Sequence, residues 1–108
     1  MAIIDVTVIP IGTDTPSVSR YVADIQRILA NWAEEGKITY ELTPMSTLIE
    51  GELPALLEVV QEMHESPFKN GIERVATNIR IDDRRDRNNH SMKNKLASVK
   101  QQLMKLEP

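Results

Sequence analysis

The sequence predicts an α+β fold in which an antiparallel sheet carries two helices on one of its faces. Residues 2–11 and 73–81 alternate between apolar and polar or charged side chains, as half-buried strands do. Residues 38–43 and 46–50 are two short strands joined by a tight link, which favours an antiparallel hairpin. Between these strands lie two segments whose apolar residues recur at helical spacing.

The first strand, residues 2–11, is followed by a predicted helix. Thr15 and Pro16 indicate its start, because threonine is a common cap residue and proline is favoured at the first helical position. We expect the helix to run to Glu35, with Gly36 as its C-terminal cap. Its apolar stripe, which we expect to pack against the sheet, consists of Val18, Tyr21, Val22, Ile25, Ile28, Leu29 and Trp32.

The second half of the chain repeats the strand and helix pattern. Pro54 lies in the first turn of a second helix, and Ser66 with Pro67 ends that helix. Ser91 can cap an extra C-terminal helix, whose apolar residues recur every four and three positions, close to a coiled-coil seam. These residues are Met92, Leu96, Val99, Leu103 and Leu106. The element order βαββαβ predicts a ferredoxin-like sheet.

Composition restricts the function classes. The 108 residues suit one domain, residues 1–108, and the absence of cysteine excludes disulfides and thiol chemistry. A net charge of −3, with one Phe, one Trp and two Tyr, disfavours nucleic acid as a partner. Asp5 interrupts the first apolar run, so we expect neither a signal peptide nor a membrane span, and a cytoplasmic location.

The predicted hairpin carries the most distinctive polar residues. Thr43 and Thr47 can donate or accept hydrogen bonds, whereas ionised Glu50 only accepts them. Met45 offers a polarisable surface to a flat ring. Turn chemistry and an acid at the start of the second helix explain the same residues without a ligand, so both interpretations stay open.

Ser17 and Ser19 form a second candidate, near the predicted start of the first helix. Free backbone N–H groups at such a position can hold an anion or a ligand hydroxyl. The segment lacks a glycine-rich cradle and is therefore no phosphate loop. Plain helix capping is the alternative interpretation.

Residues 82–90 form a charged segment that predicts no metal site. Its aspartates alternate with arginines that can neutralise them, and their spacing offers no converging ligands. We expect a solvated, salt-bridged loop. The two histidines, His64 and His90, stand at no diagnostic spacing from a serine, so no catalytic residues are predicted.

Four segments together resemble a known family. They are VIPIGTDTPSVSRYV (8–22), YELTPMSTLIEG (40–51), RVATNIRIDDRRD (74–86) and MKNKLASV (92–99). They are similar to the small thiamine-binding-like proteins of bacteria, archaea and yeast. The resemblance implies a ferredoxin-like fold, assembly into homodimers or homotetramers through the sheets, and no enzymatic activity. It also implies binding of thiamine or of its hydroxymethylpyrimidine half.

The candidate residues suit such a ligand. Glu50 or a backbone carbonyl can accept a hydrogen bond from the amino group of an aminopyrimidine, and Met45 can pack on its flat face. Hydroxyl side chains can donate to the ring nitrogens. These are Ser17, Ser19, Thr43 and Thr47.

The sequence leaves three functions open. The first, which we predict, is non-catalytic binding of thiamine or its pyrimidine as a carrier or sensor, with no resident cofactor. The second is a small-molecule enzyme of the dimeric ferredoxin-like type. The third is an assembly module whose sheet face and last helix only mediate oligomerisation.

Topology locates the predicted site. In a split-βαβ sheet the third strand pairs with the first, so the hairpin and the start of the first helix meet at one end of the sheet. We expect the ligand there, near a subunit boundary. Glu50 lies further along the third strand than the other candidates. The alternative location is the outer sheet face with Asp5, Asn78 and Arg80.

Overall fold

The fold consists of a sheet, two helices packed on it and a third helix at the C-terminal end. The computed structural model describes residues 1–86 and 91–106. The strands are β1 (Ala2–Ile11), β2 (Ile38–Leu42), β3 (Thr47–Gly51) and β4 (Arg74–Asp83). The helices are α1 (Ser19–Glu34), α2 (Leu53–Glu65) and α3 (Met92–Leu106), with a short 3-10 helix at Pro67–Asn70 after α2.

The strands form one antiparallel sheet in the order β2-β3-β1-β4. The central strand β1 pairs with β3 on one side and β4 on the other, so that Val6 lies between Thr47 and Ile79. β2 is an edge strand and pairs with β3 through the predicted hairpin. This order confirms the ferredoxin-like class.

The core lies between α1, α2 and one face of the sheet, which we call the inner face. Ile4 on β1 and Ile49 on β3 are completely buried there. Leu29 from α1 and Leu56 from α2 pack on them and are equally inaccessible to solvent. Each such side chain contributes about 1.5–3 kcal/mol to folding. Both core helices therefore cover the same face, as predicted.

Helix α1 begins later than the sequence indicated. Thr15 and Pro16 precede it as part of an irregular turn, and the helix begins at Ser19. The hydroxyl of Thr15 donates to the backbone carbonyl of Ser17 at 3.4 Å instead of capping a helix. The Val18 carbonyl accepts the backbone N–H groups of Tyr21 and Val22. Local hydroxyl contacts thus hold this segment outside the helix.

The C-terminal ends of both core helices follow the prediction. Gly36 follows Glu35, the C-cap residue of α1, and adopts a φ of 75°, a left-handed conformation that glycine accommodates without strain. Pro54 lies in the first turn of α2, and the helix ends before Ser66. The chain then makes the short 3-10 helix before it enters β4.

Strand β4 extends further than residues 73–81. Asp82 and Asp83, predicted to start the charged loop, pair with Ile3 and Ala2 of β1. The reason is that β1 offers partners along its whole length, and backbone pairing accepts charged residues on an exposed edge strand. Beyond the strand, Arg84 binds Asp86, and this hydrogen bond raises the pKa of the Arg84 guanidinium.

Part of the charged segment, including Arg87 and His90, lies outside the described residues. Arg85 forms an ion pair with Asp83 at 2.8 Å, so the expected pairing of alternating charges is present where the structure describes it. Within residues 1–86 and 91–106, no group of three metal-ligating side chains converges.

Helix α3 starts on the opposite sheet face, which we call the outer face and which carries Ile3, Asp5 and Glu50. The Ser91 hydroxyl accepts the backbone N–H of Asn94 at 3.1 Å, as the predicted cap. After Met92 every described residue of α3 is exposed, including the apolar stripe. Among the helices of the described residues, none is long and apolar enough to cross a membrane.

Candidate functional site

A cleft of about 480 Å³ opens on the inner face, between the start of α1 and the β2–β3 turn. We call it the inner cleft. Ser19, Thr43, Met45 and Thr47 line it, so four of the six predicted ligand residues meet there. Its volume lies within the usual range for small-molecule sites.

Thr47 is the most deeply placed polar residue of the inner cleft. It is 6% exposed, and its hydroxyl lies 3.4 Å from the side-chain nitrogen of Gln26, which donates to it. A hydroxyl carries one donor and two acceptor positions. Since the Gln26 contact uses an acceptor position, the hydroxyl hydrogen of Thr47 can be donated to a ligand.

Thr43 shapes the turn at the mouth of the cleft. Its hydroxyl donates to the Ser46 carbonyl at 2.8 Å and accepts the Ser46 N–H at 3.1 Å. The turn holds Met45 at the rim, where the side chain is 85% exposed. Thr43 therefore serves to position the turn, and the thioether of Met45 is able to close over a ring bound below it.

Ser17 and Ser19 lie together on the opposite side of the mouth. Their hydroxyl oxygens are 3.2 Å apart, and Ser19 lines the cleft. The alternative interpretation, helix capping, is wrong for both residues, because α1 has no side-chain cap and Val18 precedes its first residue. The pair instead forms a small polar patch at the entrance.

Glu50 does not join the other candidates. Neighbouring residues of a strand point to opposite faces, so Thr47 lies on the inner face and Glu50 on the outer one. There its two carboxylate oxygens accept the Thr39 hydroxyl at 2.6 Å and the Met92 N–H at 2.8 Å. The expectation that Glu50 lies beside the other predicted ligand residues of the hairpin is therefore wrong. Glu50 instead binds the first residue of α3.

Sequence reasoning missed Gln26. This residue lies one turn after Val22 on α1, beside the apolar stripe, and reaches Thr47 on β3. A polar side chain bordering a core stripe was the available signal. Its partner could not be read from the sequence, because the contact joins two elements whose separation depends on packing.

The rest of the inner cleft is mostly apolar and carries no charge among its described lining residues. Its walls include Val22 and Ile25 from α1 and Met63 from α2. None of the described residues that line it is acidic or basic. The cleft thus combines a few hydroxyls with apolar walls, a lining suited to a flat neutral ring.

The alternative location on the outer face shows a different chemistry. Asp5 and Arg80 form an ion pair there, with 3.3 Å between the carboxylate oxygen and the guanidinium nitrogen. Asn78 lies two residues before Arg80 and opposite Thr7. The outer face therefore carries charged side chains, whereas none of the described residues that line the inner cleft is charged.

Comparison with known sequences gives the family. The model of the family described as thiamine-binding protein matches residues 4–100. The UPF0045 protein YqgV of Bacillus subtilis is 62% identical over 103 residues, which cover 95% of this chain and 98% of that protein. A UPF0045 protein of Methanothermobacter thermautotrophicus is 39% identical over 100 residues, covering 92% of this chain and 96% of its own.

Solved structures agree with these sequence matches. The crystal structure of the hypothetical protein MJ1052 of Methanocaldococcus jannaschii gives a TM-score of 0.78 at 29% identity, covering 92% of this chain and 95% of its own. A Thermotoga maritima protein named for thiamine biosynthesis or salvage gives 0.72 at 16% identity, covering 91% and 97%, and supports the fold alone. With nearly the whole chain matched by the family model and by close relatives, this protein belongs to the thiamine-binding protein family.

Proposed function

We propose that this protein binds thiamine or its hydroxymethylpyrimidine half in the inner cleft without changing it chemically. The observation that carries the proposal is the buried Thr47 hydroxyl, held by Gln26 and facing a neutral cleft of about 480 Å³. An aminopyrimidine offers ring nitrogens that accept such a hydrogen bond and a flat face that suits apolar walls. Membership of the thiamine-binding family supports the choice of ligand.

The lining of the cleft favours binding over catalysis. General acid–base chemistry needs a group that exchanges protons near neutral pH within reach of the substrate. The described residues of the cleft supply hydroxyls, two thioethers and aliphatic side chains. A carrier or sensor needs only shape and hydrogen bonds, which these residues provide.

We further propose that the protein acts as a homo-oligomer. Leu96, Val99 and Leu103 form a continuous stripe on α3, and each is more than half exposed. The helix carries lysines and no acidic residue over Met92–Leu106, while the chain as a whole has a net charge of −3. Two such helices would repel each other, so an acidic surface of a second copy is the better partner for α3.

Calorimetric titration of the wild type and two variants tests the ligand site. Thr47→Val keeps the side-chain shape and removes the hydroxyl, and should weaken binding of hydroxymethylpyrimidine by about 5- to 150-fold. Thr39→Val makes the same change on the outer face and should leave the affinity unchanged. Chromatography after long incubation should return the ligand intact.

Three results would contradict the proposal in separable ways. If the wild type binds neither thiamine nor hydroxymethylpyrimidine, the ligand is wrong. If folded Thr47→Val binds as tightly as the wild type, the site is elsewhere. If a new product accumulates in proportion to the protein, the protein is an enzyme.

A further inference from the structure

The contact between Gln26 and Thr47 joins helix α1 to strand β3 beside the inner cleft. The side-chain nitrogen Nε2 of Gln26 lies 3.4 Å from Thr47 Oγ1, and the contact is partly buried. Thr47 lines the cleft, whereas Gln26 does not. An influence of Gln26 on a ligand therefore has to pass through the threonine hydroxyl.

Packing fixes the positions of both residues. Ile25, which precedes Gln26 in α1, is buried in the core. Thr47 pairs with Val6 of β1 and with Leu42 of β2, so β3 is held from both sides at this point. The freedom that remains is the direction of the Thr47 hydroxyl hydrogen.

The Gln26 amide decides this direction. Its NH₂ group only donates, and a hydroxyl that accepts from it keeps its own hydrogen for another partner. Within residues 1–86 and 91–106, Gln26 is the one hydrogen-bond partner of the Thr47 hydroxyl. The Thr43 hydroxyl, by contrast, already donates to the Ser46 carbonyl. Thr47 therefore offers the cleft a buried donor that an acceptor on the ligand can satisfy.

A buried donor discriminates between rings of the same shape. A ring nitrogen without a proton accepts the hydroxyl hydrogen, whereas a C–H or N–H group at the same position leaves it without a partner. Such an unsatisfied donor weakens binding by about 5- to 150-fold. Apolar walls alone would not separate these rings, because they respond to size and shape. None of the described residues of the cleft is acidic, so a protonated ring meets no opposite charge there.

We infer that Gln26 is a positioning residue that sets the ligand specificity of the inner cleft. By donating to Thr47 it directs the hydroxyl hydrogen toward the cleft, and so selects flat heterocycles that offer an unprotonated ring nitrogen. Rings of equal size with C–H or N–H at that point are rejected. The inference rests on the function proposed above and adds to it a residue that does not itself touch the ligand.

Replacing the amide by a carboxylate tests this role. In Gln26→Glu the ionised side chain only accepts, so the Thr47 hydroxyl turns its hydrogen toward it and away from the cleft. The two probes are hydroxymethylpyrimidine and 2-amino-4-methylbenzyl alcohol, its benzene analogue with C–H in place of both ring nitrogens. Calorimetry at a mildly alkaline pH, where both probes are neutral, gives the ratio of their dissociation constants. The preference of the wild type for the pyrimidine should fall by about fivefold or more in Gln26→Glu.

Two further variants separate the direction of the hydroxyl from other effects. Asn31→Asp makes the same change from amide to carboxylate on the exposed surface of α1 and should keep the wild-type ratio. Thr47→Val removes the hydroxyl, so adding Gln26→Glu to it should not change the ratio further.

A measurement on the wild type does not depend on the folding of a variant. In ¹H–¹⁵N correlation spectra, hydroxymethylpyrimidine should shift the side-chain amide signals of Gln26 more than the benzene analogue does. The reason is that a hydroxyl which donates to a ring nitrogen becomes a stronger acceptor for the amide. The side-chain amide signals of Asn31 should stay in place with both probes.

The outcomes distinguish this inference from the proposed function. A wild type that does not bind the pyrimidine overturns both. If the wild type binds it and Thr47→Val weakens it, the proposed function stands, and the role of Gln26 is overturned when folded Gln26→Glu keeps the wild-type ratio. The role is also overturned if Asn31→Asp lowers the ratio equally, since the added charge alone would then explain the effect. If Gln26→Glu does not fold, equal shifts of the Gln26 amide signals with the two probes overturn it.

Discussion

Glu50 Oε2 accepts the backbone N–H of Met92 at 2.8 Å, so a side chain of the sheet caps a helix that begins 42 residues later. An acidic side chain at a helix N-terminus satisfies a free N–H group and interacts favourably with the helix dipole. The second oxygen of Glu50 accepts the Thr39 hydroxyl. The carboxylate that the hairpin pattern suggested for a ligand is therefore engaged in holding α3 on the outer face.

Glu50→Ala should loosen the start of α3. The substitution removes the contact to Met92, and loss of a cap typically lowers the free energy of unfolding by about 0.5–2 kcal/mol. Hydrogen exchange of the backbone amides in α3 should accelerate, while exchange in α1 and α2 stays as in the wild type. Thr39→Val is the control, because it removes the other partner of Glu50 and keeps the cap. Unchanged exchange in α3 of Glu50→Ala would rule out the capping role.

Trp32 joins the two core helices. Its indole Nε1 donates to Glu62 on α2 at 2.7 Å, and its ring packs against the edge of the core. Trp32→Ala should lower the free energy of unfolding by about 2–4 kcal/mol, somewhat less than for a fully buried tryptophan. Trp32→Phe keeps most of the packing and should cost only about 1 kcal/mol for the lost hydrogen bond. Urea denaturation measures both values, and equal losses would mean that ring packing contributes little.

Met45 should affect ligand binding without affecting stability. Its side chain is 85% exposed, so Met45→Ala should change the free energy of unfolding by less than about 0.5 kcal/mol. A thioether packed on an aromatic ring contributes about 0.3–1.5 kcal/mol, so the same variant should bind hydroxymethylpyrimidine up to about tenfold more weakly. Met104→Ala, at another exposed methionine on α3, is the matched control. Equal affinities of the two variants would place the ring away from the turn.

The sequence predicted best where one periodicity was uninterrupted. The alternation of residues 2–11 predicted the observed bounds of β1, and the two short apolar runs predicted the β2–β3 hairpin. The predicted start of α1 was wrong because Thr15 can either cap a helix or close a local turn. In the structure its hydroxyl closes the turn. Such a competition between two local structures is decided by the surrounding packing.

The candidate site was predictable in position but only partly in composition. Topology alone brings Thr47 and Ser19 to the same end of the sheet, and both line the inner cleft. The alternation of β3 already implies that Glu50 and Thr47 lie on opposite faces. The contact from Glu50 to Met92 was not predictable, because it depends on the path that the chain takes between β4 and α3.

The exposed stripe of α3 leads to the last prediction, on the assembly. Val99 and Leu103 are 56% and 55% exposed, beyond the part of the helix that the sheet covers. Together with Leu96 they form an apolar surface that a monomer would leave in water. Light scattering should therefore give a multiple of the 12.2 kDa chain mass at micromolar concentration.

A double substitution tests whether this stripe forms the interface. Val99→Ser with Leu103→Ser removes apolar surface at two side chains that are more than half exposed, so the variant should fold and dissociate to smaller particles. Gln101→Ser, on a different side of the same helix, should keep the wild-type mass. Since lysines flank the stripe and the chain is acidic, dissociation of the wild type should also become easier as the salt concentration rises.

A wild-type particle of 12.2 kDa at micromolar concentration would contradict assembly altogether. A double variant that keeps the wild-type mass would instead move the interface to another surface, such as the exposed edge of β4.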